Sequence, residues 1–320
     1  MNTVSKVAAF GLALVLVFAG GWAFGRAVGP VDAPVDHNAS GDHLGAEPGP
    51  GPGLAGEAAL PGLAAVQNGY ALVAETTQLR AGATDAYRFR IADGSGAAVT
   101  KFAVEHDKRL HLIVVRRDGT HFRHVHPEMA ADGTWSVPLT PPAGGAYRVF
   151  ADFRPEGGPK TTLGVDLQVA GDFQPAVASA ESRAFTVDGY QVRLEGNLTA
   201  GASSTVQAIV TRNGEPVADL EPYLGAYGHL VALRGSDLAY LHVHPDGTPG
   251  DGKTAAGPAV TFAVEVPTAG RYRLFLDFQH GGQVRTAEFT VDAVAVGPGA
   301  PAATSTPGDS HGGDHGGHGG

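Results

Sequence analysis

The chain contains no cysteine. That absence excludes disulfides, cysteine-ligated zinc, iron–sulfur clusters, thiol catalysis and a lipobox acyl anchor. Methionine is almost missing too. Met1 and Met129 are the whole complement, so a thioether-rich Cu+ site is excluded. Charged residues make up only 17% of the 320, below the ~25% of an average soluble domain. The 22 Lys and Arg are outnumbered by 32 Asp and Glu and form no cluster, which argues against a nucleic-acid partner. No amphipathic helical period is visible after residue 30. No Ser/His/Asp order, catalytic carboxylate pair or phosphate loop stands out, so the chain is not read as an enzyme. What it does have is 47 glycines and 14 histidines, and the histidines are clustered.

Residues 7–24 are apolar or small and lie between Lys6 and Arg26. Eighteen such residues stand at the short end of a membrane span, which takes ~20, and are long for a signal-peptide core. Trp22, Phe24 and Arg26 interrupt any small-x-small cleavage site. Residues 1–28 are therefore expected to be a single-pass signal anchor, with the bulk of the chain outside the cytoplasm. Cleavage and secretion is the alternative, and the absence of cysteine is compatible with an oxidising compartment. Residues 29–62 are rich in Gly, Pro, Ala and acidic groups and read as a disordered linker. Residues 297–320 read as a disordered tail that ends in HGGDHGGHGG, with His311, His315 and His318 spaced by glycine.

Between linker and tail the text is strand-like. Runs such as LHLIVV, FRHVH, YRVFADF, HLVAL, AYLHVH and RYRLFLDF are bounded by Gly, Pro, Asp or Asn. That spacing predicts all-β, antiparallel sandwich domains. The chain also repeats itself. Residues 111–127, HLIVVRRDGTHFRHVHP, align without a gap on residues 229–245, HLVALRGSDLAYLHVHP, and seven of 17 positions match. Further on, YRVFADF at 147–153 aligns with YRLFLDF at 272–278. Two tandem copies of one β-sandwich are expected, over 63–171 and 180–293.

Each copy brings three histidines together. Asp118-Gly119 predicts a two-residue I′ turn, which makes residues summing to 237 face each other. His111 then opposes His126, and His124 shares their face because side chains alternate along a strand. In the second copy a turn centred on Ser236-Asp237 gives a sum of 473, so His229 opposes His244 and His242 joins them. Three neutral imidazoles suit Cu2+ or Zn2+ and leave a fourth position open. Pro127 and Pro245 end the paired strands, so each cluster is expected at a sheet edge within reach of solvent. A His-x-His on a strand is more often a polar face than a metal ligand. Ile113, Val115 and Phe122, with Val231, Leu233 and Tyr240 in the second copy, share that face and allow it to be a core face with hydrogen-bonded histidines at its end. The duplication at identical spacing favours metal. His106, in a turn of the first copy alone, is a candidate fourth ligand there. Asp152 and Asp277 recur within an apolar strand. They read either as outward-facing residues or as ligands or acceptors that orient an imidazole. Arg116 and Arg234 recur on the opposite face and read as fold-stabilising.

The stretch carrying Phe102, His106, Lys108, His111-Leu112-Ile113-Val114-Val115, Asp118, Phe122, His124, His126 and Pro127 resembles bacterial exported or membrane-anchored proteins with a His-x-His-Pro motif. So do Gly228-His229-Leu230-Val231 and Leu241-His242-Val243-His244-Pro245. Such proteins are commonly labelled heavy-metal or copper associated. The resemblance spans most of residues 99–290 and implies an immunoglobulin-like fold and an extracytoplasmic place. The second copy departs from it in having no match for His106. The expected function is metal binding at a His triad in each repeat, with copper or zinc as cofactor, for sequestration, delivery or sensing. The alternative is a cell-envelope scaffold or interaction module whose histidines are structural. The expected partners are the metal ion and the membrane, and nothing in the sequence names a protein partner.

Overall fold

A computed structural model of the chain describes Phe18, residues 60–177, 180–241 and 243–295, and of His244 the backbone alone. The expected anchor (apart from Phe18, which is helical), most of the linker, the tail and His242 lie outside the described residues. Among the described residues no helix is long and apolar enough to cross a membrane.

Everything described from residue 60 onward is strand, turn or loop. The first repeat has ten strands: β1 (Val66–Gln67), β2 (Tyr70–Ala74), β3 (Gln78–Arg80), β4 (Asp85–Ala92), β5 (Leu110–Arg116), β6 (Arg123–Val125), β7 (Glu128–Met129), β8 (Thr134–Leu139), β9 (Gly145–Phe153) and β10 (Thr161–Ala170). They form two sheets, ordered β1-β2-β4-β8-β7 and β3-β10-β9-β5-β6. The second repeat has β11 (Ala184–Val187), β12 (Tyr190–Glu195), β13 (Leu198–Thr199), β14 (Ala202–Arg212), β15 (Glu215–Pro216), β16 (His229–Arg234), β17 (Tyr240–Leu241), β18 (Val243–Pro245), β19 (Ala259–Val266), β20 (Gly270–His280) and β21 (Gln283–Val294). Its sheets are β11-β12-β14-β19-β18, with β15 beside β14, and β13-β21-β20-β16-β17.

Both repeats are immunoglobulin-like by topology. An antiparallel sheet built on β2, β4, β8 and β7 packs against one built on β5, β9 and β10, with β3 joining β10 in parallel. The second repeat copies this, down to the parallel pairing of β13 with β21. Each repeat also closes the entry to its long central strand with a tyrosine. Tyr147 donates to the Ala143 carbonyl at 2.9 Å and Tyr272 to the Thr268 carbonyl at 2.6 Å, the tyrosine-corner device of such sandwiches.

The strand carrying the first histidine explains how the repeats meet. All seven residues of β5 are buried. Leu110, Leu112 and Val114 enter the sandwich core with Phe89, Trp135 and Phe153. Ile113 and Val115 point the other way and join a separate apolar cluster with Phe122, Phe150, Val231, Leu233, Leu238, Tyr240 and Phe275. That cluster draws on both repeats. The shared face of Ile113, Val115 and Phe122 is thus an interface between repeats rather than the core of either sandwich. Antiparallel sandwiches ordinarily leave one face of each sheet to water. Here the outer faces bury each other.

The interface has approximate two-fold symmetry. Phe122 stacks on Phe275 with centroids 4.1 Å apart and planes at 5°, while Tyr240 meets Phe150 at 5.7 Å. Phe122 and Tyr240 occupy matching positions in the two copies, as do Phe150 and Phe275, so the contacts are reciprocal, as at an isologous interface. One side carries an extra strap. Tyr240 N–H donates to the Pro61 carbonyl at 2.9 Å, and Arg148 Nη2 donates to the Gly62 carbonyl at 2.7 Å. Pro61 and Gly62, at the end of the expected disordered linker, are therefore fixed by hydrogen bonds to both repeats. A side chain at Gly164 would collide with the Gly62 carbonyl, so this approach requires glycine.

Candidate metal centre

The ladder of the first hairpin pairs Leu112 with Val125, Ile113 with His124 and Val114 with Arg123, a sum of 237 as expected. The turn that sets it is different. Gly119 N–H bonds to Arg116 O and Arg116 N–H to Thr120 O, a three-residue loop with Gly119 at φ 75°. That loop shifts the register by one. An extra residue at His121, held at φ 56°, shifts it back as a bulge. The I′ geometry expected at Asp118-Gly119 occurs instead at His106-Asp107, both at positive φ, where Glu105 and Lys108 exchange backbone hydrogen bonds. The second copy repeats that turn with Leu224-Gly225.

In the second hairpin Ala232 pairs with Leu241 and Leu233 with Tyr240, again the expected sum of 473. The connecting loop has four residues, 235–238, since Arg234 N–H bonds to Ala239 O. The expected ladder opposition of His229 and His244 does not form. The ladder to β16 stops at Leu241, and β18 crosses to the other sheet, where His244 pairs with Ala263. The cause is the same move that β7 makes in the first repeat, but begun before the His-x-His instead of after it. His242 and the His244 side chain lie outside the described residues.

His111, His124 and His126 converge. Their ring centroids are 5.3, 5.0 and 4.8 Å apart, and one nitrogen of each lies within 4.8 Å of the others. His111 Nδ1 is 3.0 Å from His124 Nε2 and 3.2 Å from His126 Nε2. Ligands on a tetrahedral ion with ~2 Å bonds stand about 3.3 Å apart. The two distances from His111 Nδ1 are close to that value.

The outward bonds of these rings decide their tautomers. His111 Nε2–H donates to the Glu105 carbonyl at 3.0 Å, because a carbonyl can only accept. A neutral His111 therefore carries its lone pair on Nδ1. His124 Nδ1 lies 2.8 Å from the Asp277 carboxylate of the other repeat, and an ionised carboxylate also only accepts. A neutral His124 thus carries its lone pair on Nε2. These two lone pairs face each other at 3.0 Å. Two lone pairs at that distance repel, and a cation shared between them, a proton or a metal ion, relieves the contact.

Burial opposes extra protons on the neighbours. His111, 8% exposed, is held down to about 3, mainly by burial and then by the charge of His124. His126 is also held at about 3, by burial first and then by His124 and Lys108. In the second repeat burial lowers His229 to about 4, although its Nε2–H donates to the Tyr223 carbonyl at 2.8 Å. Burial also raises the Tyr240 hydroxyl well above its usual value, helped by Asp152 and Asp277.

Other sequence-derived expectations are revised. The cluster does stand at a strand end, but the second repeat covers it, so His111 is not open to solvent. His229 of the second copy stands near the first triad, 6.4 Å from His124, centroid to centroid. His106 does not join His111 as a fourth neighbour. Its ring is 6.2 Å from His111 and 5.2 Å from His229 of the other repeat. Asp152 and Asp277 do face out of their own sandwiches, yet they are only 7% and 4% exposed because the other repeat covers them. Asp277 orients His124 and is itself held by the Thr286 hydroxyl at 2.6 Å; Asp152 is held by the Thr162 hydroxyl at 2.8 Å. Arg116 and Arg234 each close their own hairpin, on Asp118 and Asp237.

Sequence reading missed Lys160, Tyr223 and the pairing between repeats. The available signal was that HLIVV and HLVAL are apolar on both strand faces, which calls for a second buried surface. It also passed over residues 247–254, which spell the G-x-x-x-x-G-K-T phosphate-loop pattern. The structure removes that reading. Strand β19 follows instead of a helix, and the Asp251 carboxylate accepts the N–H groups of Lys253 and Thr254 at 2.7 Å, filling the cradle a phosphate would need.

Fold and site together define a tandem immunoglobulin-like β-sandwich protein with a histidine cluster at the junction of its repeats. The chain belongs to the family described as domain of unknown function DUF8832, whose model matches residues 64–171 and again 185–295. No curated protein matches it in sequence. Among solved structures it is similar to the Escherichia coli adhesin FdeC, at 14% identity over 71% of this chain and 64% of that one, with a TM-score of 0.24. It is also similar to invasin, a bacterial integrin-binding protein, at 14% identity over 70% and 39% with a TM-score of 0.20. For the D0-D1 domain of intimin the values are 13%, 69% and 96%, and 0.20. The chain spans less than two thirds of FdeC and of invasin, and at these scores the likenesses carry no argument about function.

Proposed function

We propose that the protein binds a Cu2+ or Zn2+ ion outside the cytoplasm, for sequestration, delivery or sensing, through His111 Nδ1, His124 Nε2 and His126 Nε2. The observation that carries this reading is the meeting of His111 Nδ1 and His124 Nε2 at 3.0 Å with both ring protons committed elsewhere. One added proton would satisfy one such contact; one ion satisfies all three nitrogens. An all-imidazole donor set suits these two metals, and Asp277 behind His124 fixes the orientation of that ring. The extracytoplasmic place rests on residues 7–24, whose apolar run follows Lys6.

A titration tests the reading. The purified chain, with His311, His315 and His318 changed to Gln to silence the tail, takes up Zn2+ or Cu2+, and His111→Ala with His126→Ala removes this uptake. No binding at micromolar metal rejects it. A second reading, a structural histidine junction in an envelope scaffold, is favoured by the His124–Asp277 bond, which joins the repeats directly. On that reading Asp277→Ala loosens the junction and metal changes nothing.

A further inference from the structure

We propose that a second divalent cation binds between the repeats, on His106 of the first and His229 of the second, in a cavity that Asp152 also lines. The inference rests on the metal-binding reading above but concerns a different pair of rings. Two imidazoles on one tetrahedral ion have centroids about 5 Å apart, given ~2 Å metal–nitrogen bonds. The triad meets that spacing at 5.3, 5.0 and 4.8 Å, and so does His106–His229 at 5.2 Å. The cross pairs do not: His106–His111 is 6.2 Å and His124–His229 is 6.4 Å. The five rings therefore divide into a set of three and a set of two.

His229 is prepared for this role in the way His111 is. Its Nε2–H is committed to the Tyr223 carbonyl at 2.8 Å, which leaves the neutral ring's lone pair on Nδ1. A cavity of about 50 Å³ is lined by His106, His229, Asp152 and Lys160, is shared with His111 and His124 of the triad, and is otherwise walled by largely apolar residues of the second repeat. That exceeds the space one water or small ion needs. His106 is exposed, so the position is open to entry from solvent. Two divalent ions at close quarters need negative charge, and buried Asp152 and Asp277 supply it on either side of the interface. Lys160 is the opposing element. Its Nζ stands 3.5 Å from Asp152, where it answers that charge when no ion is present, and its side chain is 27% exposed, so it can swing out.

The test uses the full chain with the tail histidines changed to Gln, titrated with Zn2+ against a competing chelator. The starting chain binds two equivalents, and His111→Ala with His126→Ala leaves one. Adding His106→Asn, which keeps a residue tolerant of the turn's φ of 48°, weakens the remaining equivalent at least tenfold, and His229→Gln does the same. Lys160→Met acts in the opposite direction and tightens it by about tenfold, since it removes a like charge beside the ion. Thermal unfolding without metal confirms that each variant folds. If the second equivalent survives both His106→Asn and His229→Gln, or is lost only with His242→Ala and His244→Ala, the inter-repeat site is wrong. If the starting chain binds one equivalent that His111→Ala with His126→Ala abolishes, this inference fails and the triad stands. If it binds none, the triad reading itself fails.

Discussion

Acid should loosen the ion-free protein in the range where histidine titrates, and the buried rings set the size of the effect. His111 has its pKa lowered from 6.5 to about 3 by burial and by the charges of His124, His126 and His229. A depressed imidazole pKa means that the folded state refuses a proton the unfolded chain accepts. Above pH ~6.5 both states are neutral and nothing changes; as pH falls below it, the unfolded chain gains protons and stability drops until pH nears the folded value. At about pH 5 the unfolded ring is mostly charged and the folded one is not, a difference of about 2 kcal/mol. His229, lowered to about 4, is still mostly neutral there and adds a similar amount. Together they remove about 4 kcal/mol from a domain whose whole stability is ~5–15 kcal/mol. Urea unfolding in a chelator, followed by the fluorescence of buried Trp135 at about pH 7.5 and about pH 5, measures the loss. The His111→Gln, His229→Gln double variant should lose correspondingly less over the same interval. Equal losses in variant and starting protein would refute the claim that these rings are buried neutral at the interface.

Other outcomes follow from the same contacts. Asp277→Asn should weaken Zn2+ binding by about 10–100-fold, because the carboxylate fixes and polarises His124; unchanged affinity in a chelator competition would remove Asp277 from the site. Phe122→Ala deletes a ring stacked at 4.1 Å on Phe275 and should cost about 3 kcal/mol in urea unfolding; a change below about 1 kcal/mol would argue that the repeats do not pack through this face. His121→Asn should leave Zn2+ affinity within about twofold, because that ring lies over Tyr147 on the face away from the triad; a large loss would mean the hairpin register is different.

Much of this architecture was legible as text. The repeat, the strand runs and the His-x-His-Pro spacing follow from local patterns, because side-chain direction alternates every residue along a strand. The sums of 237 and 473 emerged correctly although neither turn had the expected geometry. In the first hairpin a three-residue loop and the His121 bulge each shift the register by one, in opposite senses, and cancel. Local pattern could not say where β17 hands over to β18, because that depends on the competition between β16 and β19 for the same strand. Nor could it say what covers the face of His111, Ile113 and Val115. A period of two reads the same whether the apolar face meets its own sandwich or a neighbour. The bond between His124 and Asp277 joins residues 153 positions apart, and no local preference encodes it. It exists because two outer sheet faces, each too apolar for water, bury one another about an approximate two-fold axis. That packing carries the carboxylate of one repeat to the imidazole of the other.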